Sequence, residues 1–355
     1  MAKKQKRRAG AEAEAEPAKA TGVEPRNELL NGGGGGGPRD EPGKRSGKKK
    51  RRECGGGGES RGIPTVSIAV AGSIIDNAQS YELATRVVVF DNKDTPAEDP
   101  TEKTVACADE DESGAAFLIR ILRYLETPQY LRKTLFPRHN SLRFVGLLPP
   151  LDAPHHLRRH EWAPYREGVT LKARAPNSYQ SLVDVGLNKD VVIDQALEPG
   201  VRVTVAMGVE RDLDADLPRQ VVSSSKPRED AGTFWGYKVR YASNLSSVIK
   251  ECPYEGGYDY AIGTSEHGEI VRSSELVIPT SRHLMIAFGG LAGLEESVEE
   301  DNSLKGKSVK DLFDRYLNTC PHQGSRTIRT EEAILISLQY FQEPISRALE
   351  VGQLN

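Results

Sequence analysis

The chain has 355 residues, 37% of them hydrophobic and 28% charged, with a formal net charge of −3. No stretch of 18 apolar residues occurs and the amino terminus, MAKKQKRRAG, is basic, so neither a membrane span nor a secretory signal is expected. The four cysteines, Cys54, Cys107, Cys252 and Cys320, form no CxxC pair, which argues against a zinc ribbon or a disulfide framework and fits a reducing cytosolic or nuclear compartment.

The average hides two different chains. Residues 1–62 hold 16 Lys/Arg against 9 Asp/Glu and 15 of the 34 glycines, leaving 32 Lys/Arg against 42 Asp/Glu in the remaining 293 residues. The arm carries two basic clusters, KKQKRR from Lys3 and KRSGKKKRR from Lys44, and few apolar side chains. Ordering it would cost entropy with nothing buried in return, so it is expected to be disordered. Such clusters serve nuclear or nucleolar import and non-specific RNA attraction, with a solubilising tail as the plainer alternative.

The body is long enough for a sizeable core, in two domains. Order is expected from Pro64. Residues 65–71 (TVSIAVA) read as a strand, 74–85 have mixed helical spacing, and 87–90 (VVVF) read as a buried strand. Residues 91–112 form an acidic loop. Residues 114–125 have helical period, with Phe117, Ile121 and Leu125 on one face, and 142–148 (LRFVGLL) read as another strand. This alternation predicts an α/β domain with a largely parallel sheet.

After residue 165 the pattern becomes short strands separated by turns: 169–174, 181–186, 191–193, 202–209 and 220–223. In 235–241, Trp235, Tyr237, Val239 and Tyr241 alternate with Gly236, Lys238 and Arg240, a period of two with an apolar and a basic face. Together these predict a small inserted β-barrel of the OB type, with Lys238 and Arg240 placed to meet phosphates, or simply solvated. From 245 the α/β pattern returns: helix at 244–252, strands at 258–262 and 284–288, helix then strand across 309–319, and a helix at 330–341. The expected organisation is an arm (1–62), two halves of one α/β domain (63–165 and 242–355), and the barrel between them (166–241).

Three strand-to-loop junctions carry the candidate chemistry: 263–268 (GTSEHG), 288–293 (FGGLAG) and 318–333 (NTCPHQGSRTIRTEEA). Each follows an apolar strand and so falls at the carboxyl edge of the sheet, where open α/β folds bind ligands. Glycines there let the backbone approach a ligand closely. A GxxxxGK[ST] loop and a GxGxxG after the first strand are absent, which argues against an ordinary nucleotide-binding protein.

These junctions, with LVIPT…HLMIAFGGLAGLEE, YLETPQYLRK and PLDAPHHLR, resemble the SPOUT class (class IV) of S-adenosylmethionine-dependent RNA methyltransferases over most of residues 63–350. The resemblance implies an α/β fold with a deep carboxyl-terminal trefoil knot, S-adenosyl-L-methionine as cofactor, and RNA as substrate. It further implies a homodimer built through knot-flanking helices, for which 114–125 and 333–341 are candidates. By family analogy the acceptor is a uridine ring nitrogen, N3, in large-subunit ribosomal RNA, and the compartment is the nucleus or nucleolus. Cofactor contacts fall on Thr264, Ser265 and His267 of the first junction and on Gly289 and Gly290 of the second. In the third they fall on Asn318, Thr319, Gln323, Gly324, Thr327 and Ile328. His267 stands where relatives are expected to carry Arg. Arg326 is the candidate catalytic side chain. Glu266 is a candidate base by type and location, as is Glu331.

Other features have plainer readings beside them. Arg326 and Arg329 could pair with Glu331 or Glu332, and Thr330 could cap the last helix. His155, His156 and Arg158, in PHHLRRHE, and Arg86 are candidate RNA contacts. The same histidines lack a thiolate or carboxylate partner in sequence, so no metal is expected. Cys320 reads as packing. The rival from another class is a non-catalytic RNA-binding or scaffold protein that keeps the knot, with a centromere or spindle role.

Overall fold

Apolar runs without alternation belong in a sheet covered on both faces, and three such runs sit at the centre of this fold. The computed structural model describes residues 65–71, 85–93, 113–148, 151–174, 180–213 and 217–354. The arm, the 74–84 segment and most of the 91–112 loop lie outside the described residues.

In chain order, β1 (Thr65–Ala71) and β2 (Arg86–Phe90) precede α1 (Gly114–Glu126) and α2 (Gln129–Leu135). Five strands follow: β3 (Tyr165–Arg174), β4 (Ser181–Asp184), β5 (Val191–Val192), β6 (Arg202–Ala206) and β7 (Val221–Val222). Then come α3 (Lys226–Ala231), β8 (Lys238–Ala242), α4 (Leu245–Lys250), β9 (Tyr260–Glu269) and β10 (His283–Phe288). The chain ends with α5 (Gly293–Glu300), β11 (Arg315–Leu317) and α6 (Thr330–Leu354).

Strands β11-β9-β10-β1-β2-β8 form one six-stranded sheet, parallel throughout. Its central strands are buried along nearly their whole length, and α1, α4, α5 and α6 contribute to the same core. Ser113 caps α1 by accepting the Ala116 N–H (3.2 Å). Eight of the thirteen residues of α1 are buried, around most of its circumference. It therefore lacks the exposed apolar face that a dimer helix needs. The last helix is longer than the 330–341 expected. It packs under the 271–276 segment, where Ser273 donates to the Tyr340 carbonyl (2.7 Å) and Arg347 to the Ser273 and Leu276 carbonyls (2.9 and 3.0 Å).

Two expected strands differ. Residues 142–148 form short 3₁₀ turns, closed by Arg143 N–H to Asn140 (2.9 Å) and Leu148 N–H to Val145 (3.2 Å). Leu147 is 83% exposed there, so the apolar run buries too little to hold a strand. The 235–241 run contains β8, which pairs with β2 in the parallel sheet, Val87 beside Val239 and Val89 beside Tyr241. An edge strand with one wet face alternates just as a barrel strand does, so the period alone could not assign its sheet.

The other five strands form an antiparallel sheet in the order β5-β4-β3-β6-β7, around a core of its own that includes Val183, Val185, Ile193, Val205 and Met207. Its edges meet at one end, where Ile193 bridges Arg219, and Arg219 N–H donates to Val192 (2.8 Å). The sheet thus curls back on itself with five strands, without 235–241.

Ion pairs join the two sheets. Arg202 of β6 donates to Glu126 at the end of α1 (2.6 and 3.0 Å) and to Glu167 of β3 (2.8 Å). Gly236 runs past this cluster at φ +76°; a Cβ there would lie 2.2 Å from Glu126 Oε1.

Candidate functional site

The three junctions do converge, though the first is built differently from a loop after a strand. Tyr316 of β11 lies beside Gly263 of β9, yet the next residue, Leu317, lies beside Glu269. Residues 264–268 therefore bulge out of β9 while β11 advances one step. Gly268 permits the crossing: a Cβ on it would lie 2.2 Å from the Leu317 carbonyl carbon. Thr264 closes the start of the bulge by donating to the Ala287 carbonyl (2.8 Å), and Asn318 Nδ2 holds its middle through the Glu266 carbonyl (3.0 Å).

A cleft of about 180 Å³ opens at the carboxyl ends of β9, β10 and β11. Thr264, Ser265, Glu266 and His267 line it from the bulge, and Gly289 and Gly290 from the second junction. Asn318, Thr319, Gln323, Thr327 and Ile328 line it from the third. Gly324 and Arg326 do not. Arg326 is exposed, and its side chain has no partner among the described residues. Arg329 reaches Glu331 only at 4.0 Å, a surface pair worth little. Thr330 does not cap its helix; its hydroxyl donates to the Gly289 carbonyl (3.2 Å) and ties the third junction to the second. Beneath the cleft, Thr319 Oγ1 meets the fully buried Ser337 Oγ at 2.6 Å. Burial pushes the Cys320 thiol up, which suits packing and not a nucleophile.

Sequence reasoning missed Glu295. It sits in the first turn of α5, where an acidic residue reads as an ordinary helix start. In the structure its Oε1 accepts from Tyr316 (2.7 Å) and Ser265 (3.1 Å), and His267 Nδ1 lies 3.1 Å away. Burial favours the neutral acid, but the hydrogen bonds from Tyr316, the backbone, His267 and Ser265 together hold the carboxyl below its ordinary value. Burial and donation to that carboxylate push the Tyr316 phenol well up. Glu295 is thus an anion on the wall of the cleft, and a strand–helix geometry invisible in the sequence brings its partners together.

The donor set of the cleft is mostly backbone. Among the described residues, no hydrogen bond reaches the N–H groups of Thr327 and Ile328 or the Ile328 carbonyl. Main-chain donors and acceptors of this kind suit the edge of a purine base, and one carboxylate suits a cation.

The expected RNA contacts are dispersed. His155 is fully buried, and His155 and His156 both turn Nε2 to the Glu126 carbonyl (2.8 and 2.7 Å). Burial and the neighbouring His155 pull His156 down to about 4, so it is neutral at neutral pH. The rest of the segment straps a buried arginine: Arg166 donates to the carbonyls of Leu157, Arg158 and Glu161 (3.3, 3.1 and 3.0 Å). The segment is therefore a structural strap rather than a basic strip. Arg158 itself is exposed, while Arg240 is turned inward and donates to the Val248 carbonyl at the end of α4 (2.7 Å). Arg86 and Lys238 line a second cavity. No metal-ligating cluster occurs among the described residues, and no helix among them is long and apolar enough to cross a membrane.

The family described as "Putative RNA methyltransferase" matches residues 65–341. The chain belongs to that family. It is 46% identical over 308 residues to the human protein named 28S rRNA (uridine-N(3))-methyltransferase, covering 82% of this chain and 81% of the relative. The mouse protein of the same name is 45% identical, covering 80% and 77%. A solved structure, the SpoU methyltransferase AviRb from Streptomyces viridochromogenes in complex with AdoMet, overlaps 34% of this chain and 41% of its own, at 16% identity and a TM-score of 0.21. An overlap of that size carries no inference.

Proposed function

We propose that the chain is an S-adenosylmethionine-dependent RNA methyltransferase of the SPOUT class (class IV) that methylates N3 of a uridine in large-subunit ribosomal RNA. The observation that carries this reading is the convergence of three strand-end segments on one backbone-rich cleft, in a chain 46% identical to a human 28S rRNA (uridine-N(3))-methyltransferase. S-adenosylmethionine supplies an electrophilic methyl group on a sulfonium. The chain supplies position and charge. Backbone at 327–328 holds an adenine edge, Asn318 and Thr319 the ribose side, and the Glu295 carboxylate the charge complementary to a sulfonium. The uridine N3 proton must leave as the methyl group arrives, and Glu266, half-exposed at the rim, is placed to take it. Arg326, unpaired and outside the cleft, is the side chain for the RNA.

The finer architecture belongs to the same proposal. It comprises a carboxyl-terminal knot formed where α6 passes under the 271–276 segment, an OB-like role for the curled antiparallel sheet, and a homodimer through α6. That helix leaves Leu335 and Ile336 exposed, near Leu291 at 93%. The basic arm fits a nuclear, nucleolar setting.

Isothermal titration of the full chain with S-adenosylmethionine and S-adenosylhomocysteine tests the core of this reading. Wild type is expected to bind both. Glu295→Gln, which keeps size and removes charge, is expected to weaken S-adenosylmethionine by about tenfold, the scale of one charge-assisted contact. The neutral-sulfur product should be affected less. Arg326→Ala is expected to bind cofactor normally and to lose methyl transfer to ribosomal RNA. No binding by folded wild type would overturn the enzyme reading and return the chain to the scaffold alternative.

A further inference from the structure

A second cavity, about 600 Å³ against about 180 Å³ for the cleft, lies at the opposite edge of the six-stranded sheet. Thr65, Arg86 and Lys238, the first residues of β1, β2 and β8, line one wall, and Val203, Thr204 and Val221 of the antiparallel sheet line another. Five basic side chains and two carboxylates face it. Both carboxylates, Glu126 and Glu167, are already engaged by Arg202. The residues after the arm carry 32 Lys/Arg against 42 Asp/Glu, so a local excess of three cations runs against the composition of the body.

The placement of those cations is costly. Arg86 and Lys238 are register partners across the β2–β8 pair. Parallel neighbours in register stand on the same face about 4.8 Å apart, and like charges so placed repel. Burial, and Arg86 beside it, pull the Lys238 ammonium down from its ordinary value. Among the described residues no carboxylate pairs with Arg86, Arg228 or Lys238. Aromatic rings orient the guanidinium groups without neutralising them: Arg86 lies over Tyr254 (4.9 Å) and Arg228 near Phe234 (5.8 Å). Hydroxyls of Thr85, Ser224 and Ser225 add donors to the same walls. A fold that holds three cations together, oriented and without anions, is preorganised for an anion from outside. Guanidinium forks and hydroxyls are the groups that engage phosphate oxygens.

We propose that this cavity is a phosphate subsite for the RNA backbone, with Arg86, Arg228 and Lys238 as its cations. The proposal rests on the RNA-substrate reading above and adds where the backbone is gripped. The cations come from β2, α3 and β8 and are spread along the sheet edge, as a run of phosphodiesters requires. Contacts of this kind fix register and carry no base sequence.

Fluorescence anisotropy of a labelled single-stranded oligoribonucleotide, titrated with the full chain over a range of salt, tests it. Arg86→Gln/Lys238→Gln is expected to lose about tenfold or more in affinity, and the slope of log K against log salt to shrink by about two. The charge-conserving Lys238→Arg is expected to keep wild-type affinity. The double variant should melt at or above the wild-type temperature, because a repelling pair is gone; a purely structural role would lower it. Wild-type affinity and slope in the double variant, or no binding by wild type, overturns the proposal. Binding of inorganic phosphate that depends on Arg86 and Lys238 while RNA affinity does not would assign the cavity to a free anion and also overturn it. S-adenosylmethionine titration of the same samples separates failure here from failure of the cofactor reading.

Discussion

Gly289→Ala is expected to destabilise the fold by about 3 kcal/mol, the scale of forced overpacking, and to abolish cofactor binding. A Cβ at 289 would stand 2.2 Å from the Gly293 carbonyl carbon and 2.3 Å from the Leu294 nitrogen. Those are backbone atoms at the start of α5, so no side-chain rotation relieves the clash. The turn is tight because Gly290 and Gly293 bridge each other, with Gly293 N–H donating to the Gly290 carbonyl (3.2 Å) at φ +81°. Opening it would move the Gly289 carbonyl away from Thr330 and Glu295 away from Ser265, so all three segments of the cleft would shift together. Gly324→Ala is the control: nothing lies within 4 Å of its Cβ, and the change should stay within about 0.5 kcal/mol. Thermal melts and cofactor titration of both variants decide the matter. A Gly289→Ala protein that melts and binds like wild type would mean that the turn adapts and that the cleft does not depend on it.

That result would also refine how the glycines are understood. In the sequence, FGGLAG after an apolar strand suggests backbone held close to a ligand. In the structure, Gly289 is needed because the chain approaches itself. Residue type marks a close approach but not what approaches. The same limit explains other differences. The unbroken runs 65–71, 87–90 and 284–288 were legible as strands because burial on both faces leaves no polar positions. Period two at 235–241 was legible as a strand but not as a member of either sheet. Convergence of the three junctions was foreseeable, since parallel strands put their carboxyl ends on one edge. Glu295 was not, because its role depends on a bulge that brings Ser265 and His267 back over α5. The PHHLRRHE run misled because composition records charge and not burial: two of its histidines share the Glu126 carbonyl, and its own carbonyls wrap Arg166.

Arg202→Met is expected to cost about 3–5 kcal/mol, because it strands two carboxylates where water does not reach them. Glu126 and Glu167 are 7% and 3% exposed. Glu167 also accepts from Trp235 (2.6 Å) and Thr204 (2.7 Å), so it cannot swing out to solvent without breaking both. Burial alone would raise the Glu126 carboxyl, but Arg202, with hydrogen bonds from His155 and from Arg202 itself, holds it down from 4.5 to about 2. A carboxylate depressed in the folded state stabilises above its unfolded value and loses that contribution as pH falls, here between about pH 4.5 and 2, to a total of about 3 kcal/mol. The neutral His156 adds an earlier loss. Its folded value near 4 lies below the ordinary 6.5, so the unfolded chain takes up the proton first and stability falls between those two values. Urea unfolding at neutral pH and at steps down to pH 3 should therefore show wild type weakening from about pH 6.5 and more steeply below 4.5. In Arg202→Met the starting stability should be lower and the steep lower limb absent, since Glu126 no longer has the cation that depresses it. Replacing Glu126 and Glu167 by leucine together with Arg202→Met should recover part of the loss, because the stranded charges are then gone. If Arg202→Met keeps both the neutral-pH stability and the acid limb of wild type, the triad does not hold the two sheets together.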